Sequence, residues 1–194
     1  MSRPVPVCPH CVHPEERPLL CDRCGWRWLA NPLPAAAVLL ERTAADGEPA
    51  ILLLRRTVEP GRGEWDLPAG YLEPGESFEA GARREAAEEA GMEVTLASLA
   101  GVYHSAAGNA VTVVYRARSV DPTAPVSPDF ESDDHAWIPR SEVPAWLPRM
   151  AFPSMRAAVD DWAIGRIGGP RDGDGREPAL HSDASKASDD SDDR

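Results

Sequence analysis

An α/β domain, led by a small cysteine-rich module, is predicted by three features of the sequence. Short apolar runs of strand length are interleaved with two stretches of helical period. Four cysteines stand as two C-x2-C pairs near the N-terminus. Glutamates crowd one end of the first helical stretch, at Glu85, Glu88 and Glu89. The 194 residues, 42% of them hydrophobic, are enough for one ordinary domain with appendages.

Residues 1–31 read as a zinc ribbon. Cys8 and Cys11 lie in CPHC, Cys21 and Cys24 in CDRC. Each pair is a knuckle, and four thiolates suit a tetrahedral Zn2+. A redox motif needs one pair and a βαβ setting, and disulfides do not suit a reducing compartment. His10 and His13 are nearby substitutes, but four cysteines suffice and both histidines are expected to face solvent. The stretch VHPEERPLL between the knuckles has too little apolar material to fold without metal. Trp26 and Trp28, spaced by two, predict a strand that packs on the main domain. Asn31-Pro32 and Pro34 form an extended connector.

Residues 32–164 form the main domain. AAAVLLE (35–41) and AILLLRR (50–56) predict two strands around a hairpin loop, TAADGEP. GRGEWDLPAGYLEPGE predicts an irregular loop around Trp65, a residue read as a loop anchor. A helix follows from Ser77 to Ala90, with Ser77 as N-cap and Gly91 just past its end. Residues 94–105 and 110–120 are two strands joined by a hairpin-type turn, AAGN. DPTAPVSPDFESDD is a loop and HAWIP a last short strand. FPSMRAAVDDWAIG is a helix with Pro153 in its first turn and the stripe Met155, Ala158, Val159, Trp162. Residues 165–194, rich in Asp and Ser and without period, predict a disordered acidic tail.

The net charge of −12 opposes attraction to nucleic acid or an anionic membrane. It leaves room for an anionic substrate bridged by a cation. No apolar run has the length of a bilayer span, and MSRPVPVCPHC holds no signal-peptide core, so a cytoplasmic protein is the expectation.

On a helix at 100° per residue, Glu85, Glu88 and Glu89 share an arc of roughly 100°. Ala82, Ala86 and Ala90 run beside it as a stripe that can pack on a sheet. A solvated acidic face balanced by Arg83 and Arg84 is the plain alternative. It fits poorly, because Arg84 reaches Glu88 by spacing but Glu85 and Glu89 repel with no cation to match. Mg2+ or Mn2+ with hard oxygen ligands resolves the repulsion. Gly70 and Gly75 permit close backbone approach, and a carbonyl from such a loop is a natural extra ligand. Glu76 can pair with Arg84 and hold the carboxylates in place.

At these residues the chain resembles the Nudix hydrolases. Gly70, Glu76, Arg84, Glu85, Ala86, Glu88, Glu89, Gly91 and Met92 fill every defined position of G-x5-E-x7-R-E-U-x-E-E-x-G-U, where U is apolar. Ala86 is a small choice, and Ala69 stands where many relatives have glycine. VLLERT, ILLLRR, GEWDLPAGYLEPGES and FESDDHAWIPRSEVP are similar to the usual flanks. The zinc module followed by NPLP resembles the ribbon of one branch, so the likeness covers about residues 8–163.

The resemblance implies an α/β/α sandwich with a mixed sheet, and hydrolysis of a nucleoside diphosphate linked to another moiety. It places the catalytic Mg2+ or Mn2+ on Glu85, Glu88, Glu89 and the Gly70 carbonyl, where the ion neutralises the pyrophosphate and acidifies a water that attacks phosphorus. Arg84 joins these as a catalytic residue. Glu88, Glu89 and Glu131 are candidates for the general base. Arg55 and Arg56 are candidate phosphate contacts, and Tyr103 a candidate platform for adenine. The region after the box, TLASLAGVYHSAAGN, lacks the proline-tryptophan array of NADH pyrophosphatases, and no proline falls between Gly91 and Pro122. The missing proline departs from the classical ADP-ribose pyrophosphatases, and what remains is a dinucleotide-like or sugar-nucleotide substrate, with ADP-ribose placed first, then FAD or NADH. The rival reading is a non-catalytic nucleotide sensor or zinc-ribbon interaction protein. Nucleic acid and membrane are not expected as partners; a homodimer is consistent with the family.

Overall fold

The computed structural model describes residues 19–20, 23–25, 27–28, 31–105 and 110–166. Cys8, Cys11, Cys21, His10, His13, Trp26, the turn 106–109 and the tail beyond 166 lie outside the described residues. The chain divides into two units, Met1–Leu33 and Pro34–Arg194. In the first, β1 (Leu19–Leu20) pairs antiparallel with β2 (Arg27–Trp28). Between them Cys24 is exposed in a turn, and Gly25 follows at φ +72°, a conformation that glycine adopts without strain.

The second unit is built on a seven-stranded sheet. Its strands are β3 (Leu33–Thr43), β4 (Pro49–Arg56), β5 (Trp65–Asp66), β6 (Ala69–Tyr71), β7 (Val94–Ser105), β8 (Ala110–Ser119) and β9 (Ser132–Pro139). The main path runs β5-β4-β3-β8-β7, with β6 paired to β3 and β9 to β4. α1 (Phe78–Ala90) and α3 (Pro153–Ala163) pack on opposite faces. Strand alternation separates the two cores. Ala37, Leu39, Ile51 and Leu53 face Met155, Ala158, Val159 and Trp162 of α3. Val38, Leu40, Leu52 and Leu54 face Ala86 and Ala90 of α1. Both faces are covered, which is why β3 and β4 read as unbroken apolar runs. The three-layer sandwich is the one the resemblance implies.

The ends of α1 are where the sequence puts them. Ser77 Oγ accepts from the Ala80 N–H at 3.1 Å, and Gly91 is left-handed at φ 67°. α3 starts at Pro153 and buries the expected stripe. A buried-edge contact ties it to the sheet: Glu41 accepts from Trp162 Nε1 at 2.6 Å and from Arg116 at 2.6 and 2.9 Å.

Three segments differ from expectation. The loop around Trp65 is not irregular throughout, because its backbone supplies β5 and β6. β9 begins at Ser132, three residues before the expected HAWIP. Its exposed Asp133 and Asp134 hide a strand whose Ser132 and Asp134 pair with Arg56 and Arg55 of β4 across a bulge at Asp133. Residues 140–149, read from sequence without any element, form two 3-10 turns around α2 (Val143–Trp146), with prolines at their starts. Trp65 is a loop anchor as expected: it is buried and meets Trp146 edge to face, centroids 5.0 Å apart. Among the described residues no helix is long and apolar enough to cross a membrane.

Candidate active site

Pairing of β6 with β3 sets Gly70 opposite Ala36 and lays it against α1. A Cβ at Gly70 would collide with the Glu85 carboxylate, so glycine is what lets that acid lie down on the strand. Glu85 is 7% exposed. Glu88 projects outward, and Glu89 turns inward to accept from the Ala69 N–H at 2.9 Å.

Arg84 sits among these acids. Its Nε and Nη2 donate to the two oxygens of Glu76 at 2.9 and 3.0 Å. Its Nη1 donates to Glu85 at 2.7 Å and Glu88 at 3.0 Å, and Nη2 also reaches the Tyr71 carbonyl at 3.0 Å. The Glu76–Arg84 pair is the one expected from sequence. The Glu85 contact is not: adjacent helical residues do not face each other, but a long guanidinium held by Glu76 folds back across its neighbour. Glu85 therefore does have a cation, correcting the expectation that it has none. Arg84 holds Glu76 below the usual carboxylate range and is itself raised by its acids.

Glu89 has no ion pair among the described residues. Burial pushes its carboxyl up to about 8, opposed by the Ala69 N–H and reinforced by repulsion from Glu85, Asp66 and Glu131. Asp66 is pushed up to about 7, also by burial, with Arg56 and the Leu67 N–H opposing. Burial raises Glu85 as well, against the pull of Arg84.

Gly70, Arg84, Glu85, Glu88, Glu89, Glu131 and Arg56 all line one cleft of about 680 Å3. Arg56 is braced there: its Nε donates to the Pro60 carbonyl at 3.0 Å, Asp66 lies 3.7 Å away, and the guanidinium covers Phe152 at 5.1 Å. Two expected substrate residues are elsewhere. Arg55 alternates to the other side of its strand and pairs with Asp133 at 2.8 Å and Asp134 at 3.5 Å. Tyr103 is 2% exposed in the core under α3, its hydroxyl 3.2 Å from Asp161. Strand periodicity sends it inward, so it offers no open ring to a base. Sequence reasoning overlooked Asp66, Thr112 and Ser154, all buried polar side chains on the cleft. Only the position of Asp66 beside the anchoring Trp65 marks it in the sequence.

Among the described residues no three His, Cys, Asp or Glu side chains are arranged as they stand to hold a metal ion, since Arg84 occupies the space between two of the acids. The donor chemistry still suits a hard divalent cation. Glu85 is buried and Glu89 half-buried, their carboxylates repel each other, and Glu88 is exposed enough to swing.

A family profile described as NUDIX domain matches residues 32–161. The human 8-oxo-dGDP phosphatase NUDT18 is 35% identical over 96 residues, 48% of this chain and 29% of that protein. The ADP-ribose pyrophosphatase of Methanocaldococcus jannaschii is 32% identical over 98 residues, 48% of this chain and 55% of that protein. The chain thus spans less than two thirds of either relative. A crystal structure of a NUDIX hydrolase from Nitrosomonas europaea superposes with TM-score 0.71 over 86% of this chain and 98% of that one, at 24% identity, a likeness of fold.

Proposed function

The chain belongs to the Nudix family, and from that premise we propose that it is a divalent-metal-dependent hydrolase of the pyrophosphate bond in nucleoside diphosphate derivatives, with ADP-ribose as first substrate and FAD or NADH next. The observation that carries the reading is the convergence of Glu85, Glu88 and Glu89 on one cleft with Gly70 and Arg56. The relative named as an ADP-ribose pyrophosphatase supports the substrate choice.

Glu85, Glu88, Glu89 and the Gly70 carbonyl would hold Mg2+ or Mn2+. Such an ion, when bound, supplies charge neutralisation and a more acidic water. The chain's own groups do the rest. Arg84 keeps Glu85 and Glu88 aimed into the cleft by hydrogen bonds anchored on Glu76. Arg56, fixed by Asp66 and Pro60, offers a cation to a phosphate oxygen. Glu89, half-buried, and Glu131, which lines the same cleft, are the groups placed to accept a proton.

We also assign structural Zn2+ to Cys8, Cys11, Cys21 and Cys24. The exposed Cys24, in a turn completed by left-handed Gly25, supports a knuckle there. A homodimer and a cytoplasmic setting complete the reading.

The test is a panel of ADP-ribose, FAD, NADH and 8-oxo-dGDP with Mg2+, comparing wild type with Glu89→Gln. AMP release from ADP-ribose should fall by about a hundredfold or more in the variant. Tight nucleotide binding without turnover of any compound would instead favour the nucleotide sensor.

A further inference from the structure

A second hollow gathers basic side chains that the proposed reaction does not use. It measures about 860 Å3 and lies between the end of β3, the segment 122–126 and Trp137 of β9. Arg42, Arg118 and His135 line it. Its acidic residue, Glu41, is already engaged by Arg116 and Trp162. Among the described residues neither Arg42 nor Arg118 has an ion pair. The Arg42 guanidinium lies over the Trp137 ring at 4.2 Å. Desolvation by its neighbours pulls the Arg42 pKa down.

The hollow is separate from the cleft. Ala35 lines the cleft and Arg42 the hollow, and the stretch of β3 between them spans roughly 23 Å at strand rise. One arginine on an open surface is ordinary. Here three basic side chains share a concavity in a chain of net charge −12. Met92, Ala124 and Val126 give that concavity an apolar floor. This combination suits an anion that also carries a planar, weakly polar part.

We infer that the hollow is a second ligand site, for a nucleoside monophosphate, with the base stacked on the Arg42–Trp137 pair and the phosphate held by Arg118 and His135. The inference stands apart from the activity of the cleft. It is tested on the full chain in magnesium-free buffer by titrating AMP and following backbone amides and indole N–H signals by NMR. Shifts are expected at residues 42–45 and 124–126 and at the Trp137 indole. Arg42→Ala and Arg118→Gln, each checked for a wild-type circular dichroism spectrum, should weaken AMP by about tenfold or more. Inorganic phosphate and adenosine should each bind less well than AMP. The assignment is overturned by shifts confined to cleft residues such as Gly70 and Glu89, or by unchanged affinity in the variant that folds. It is equally overturned if phosphate alone matches AMP, or if an acidic peptide binds more tightly than AMP at these residues.

Discussion

Glu89 sits where a carboxylate is hard to ionise, against the backbone of Ala69 and facing Glu85, Asp66 and Glu131. Its folded pKa of about 8 stands above an ordinary value of 4.5, and that of Asp66, about 7, above 3.8. Between these bounds the unfolded chain gives up protons that the folded chain keeps. The stability these two groups contribute is therefore lost as pH rises from about 4 to 8, whereas the acids held low, such as Glu76, act in the opposite sense only at the acid end. We predict that the urea midpoint of the chain in magnesium-free buffer drops from pH 5 to pH 8. Glu89→Gln should remove part of the drop, a gain on the order of a few kcal/mol at pH 8 and little at pH 5. An equal effect at both pH values would rule out the buried carboxylate as the cause. If the proposed metal site holds, divalent metal should raise the midpoint more at pH 8, where the acids are ionised.

At the scale of elements, α1 joins a small-residue buried face to two well-formed ends. That face is Gly81, Ala82, Glu85, Ala86 and Ala90, which bury little apolar area. The N-terminus depends on Ser77, and the C-terminus on Gly91, with the Ser127 N–H donating to the Ala90 carbonyl at 2.9 Å. Ser77→Ala is predicted to cost about 1 kcal/mol in urea unfolding. Gly91→Ala should cost more, because φ is +67° and a Cβ would stand 2.9 Å from that of Ser127. If Gly91→Ala proves the milder of the two, the C-terminal account is wrong. Both caps were legible in the sequence because a cap is a local hydrogen-bonding problem. The start of β9 was not, because Ser132 and Asp134 owe their strand conformation to a partner, β4, about eighty residues away along the chain, with Asp133 bulged between them.

At the scale of the molecule, the four cysteines make a stoichiometric prediction. The purified chain should carry about one zinc per polypeptide, and Cys24→Ser should lower that content sharply in atomic absorption. A zinc-free wild-type chain purified without chelator would remove the ribbon. For the main domain, periodicity together with cap and proline signals determined two helices, the principal strands and a carboxylate-bearing face bordering the packed side of α1, because spacing along one element fixes which side chains share a face. Whether Arg56 or Arg55 entered the cleft, and whether Tyr103 met substrate or core, depended on which side of the sheet each strand turned toward α1 or α3. Tertiary structure also decided that Arg84 would serve Glu76, Glu85 and Glu88 together. Those outcomes arise from long-range strand pairing and burial, which no local spacing encodes.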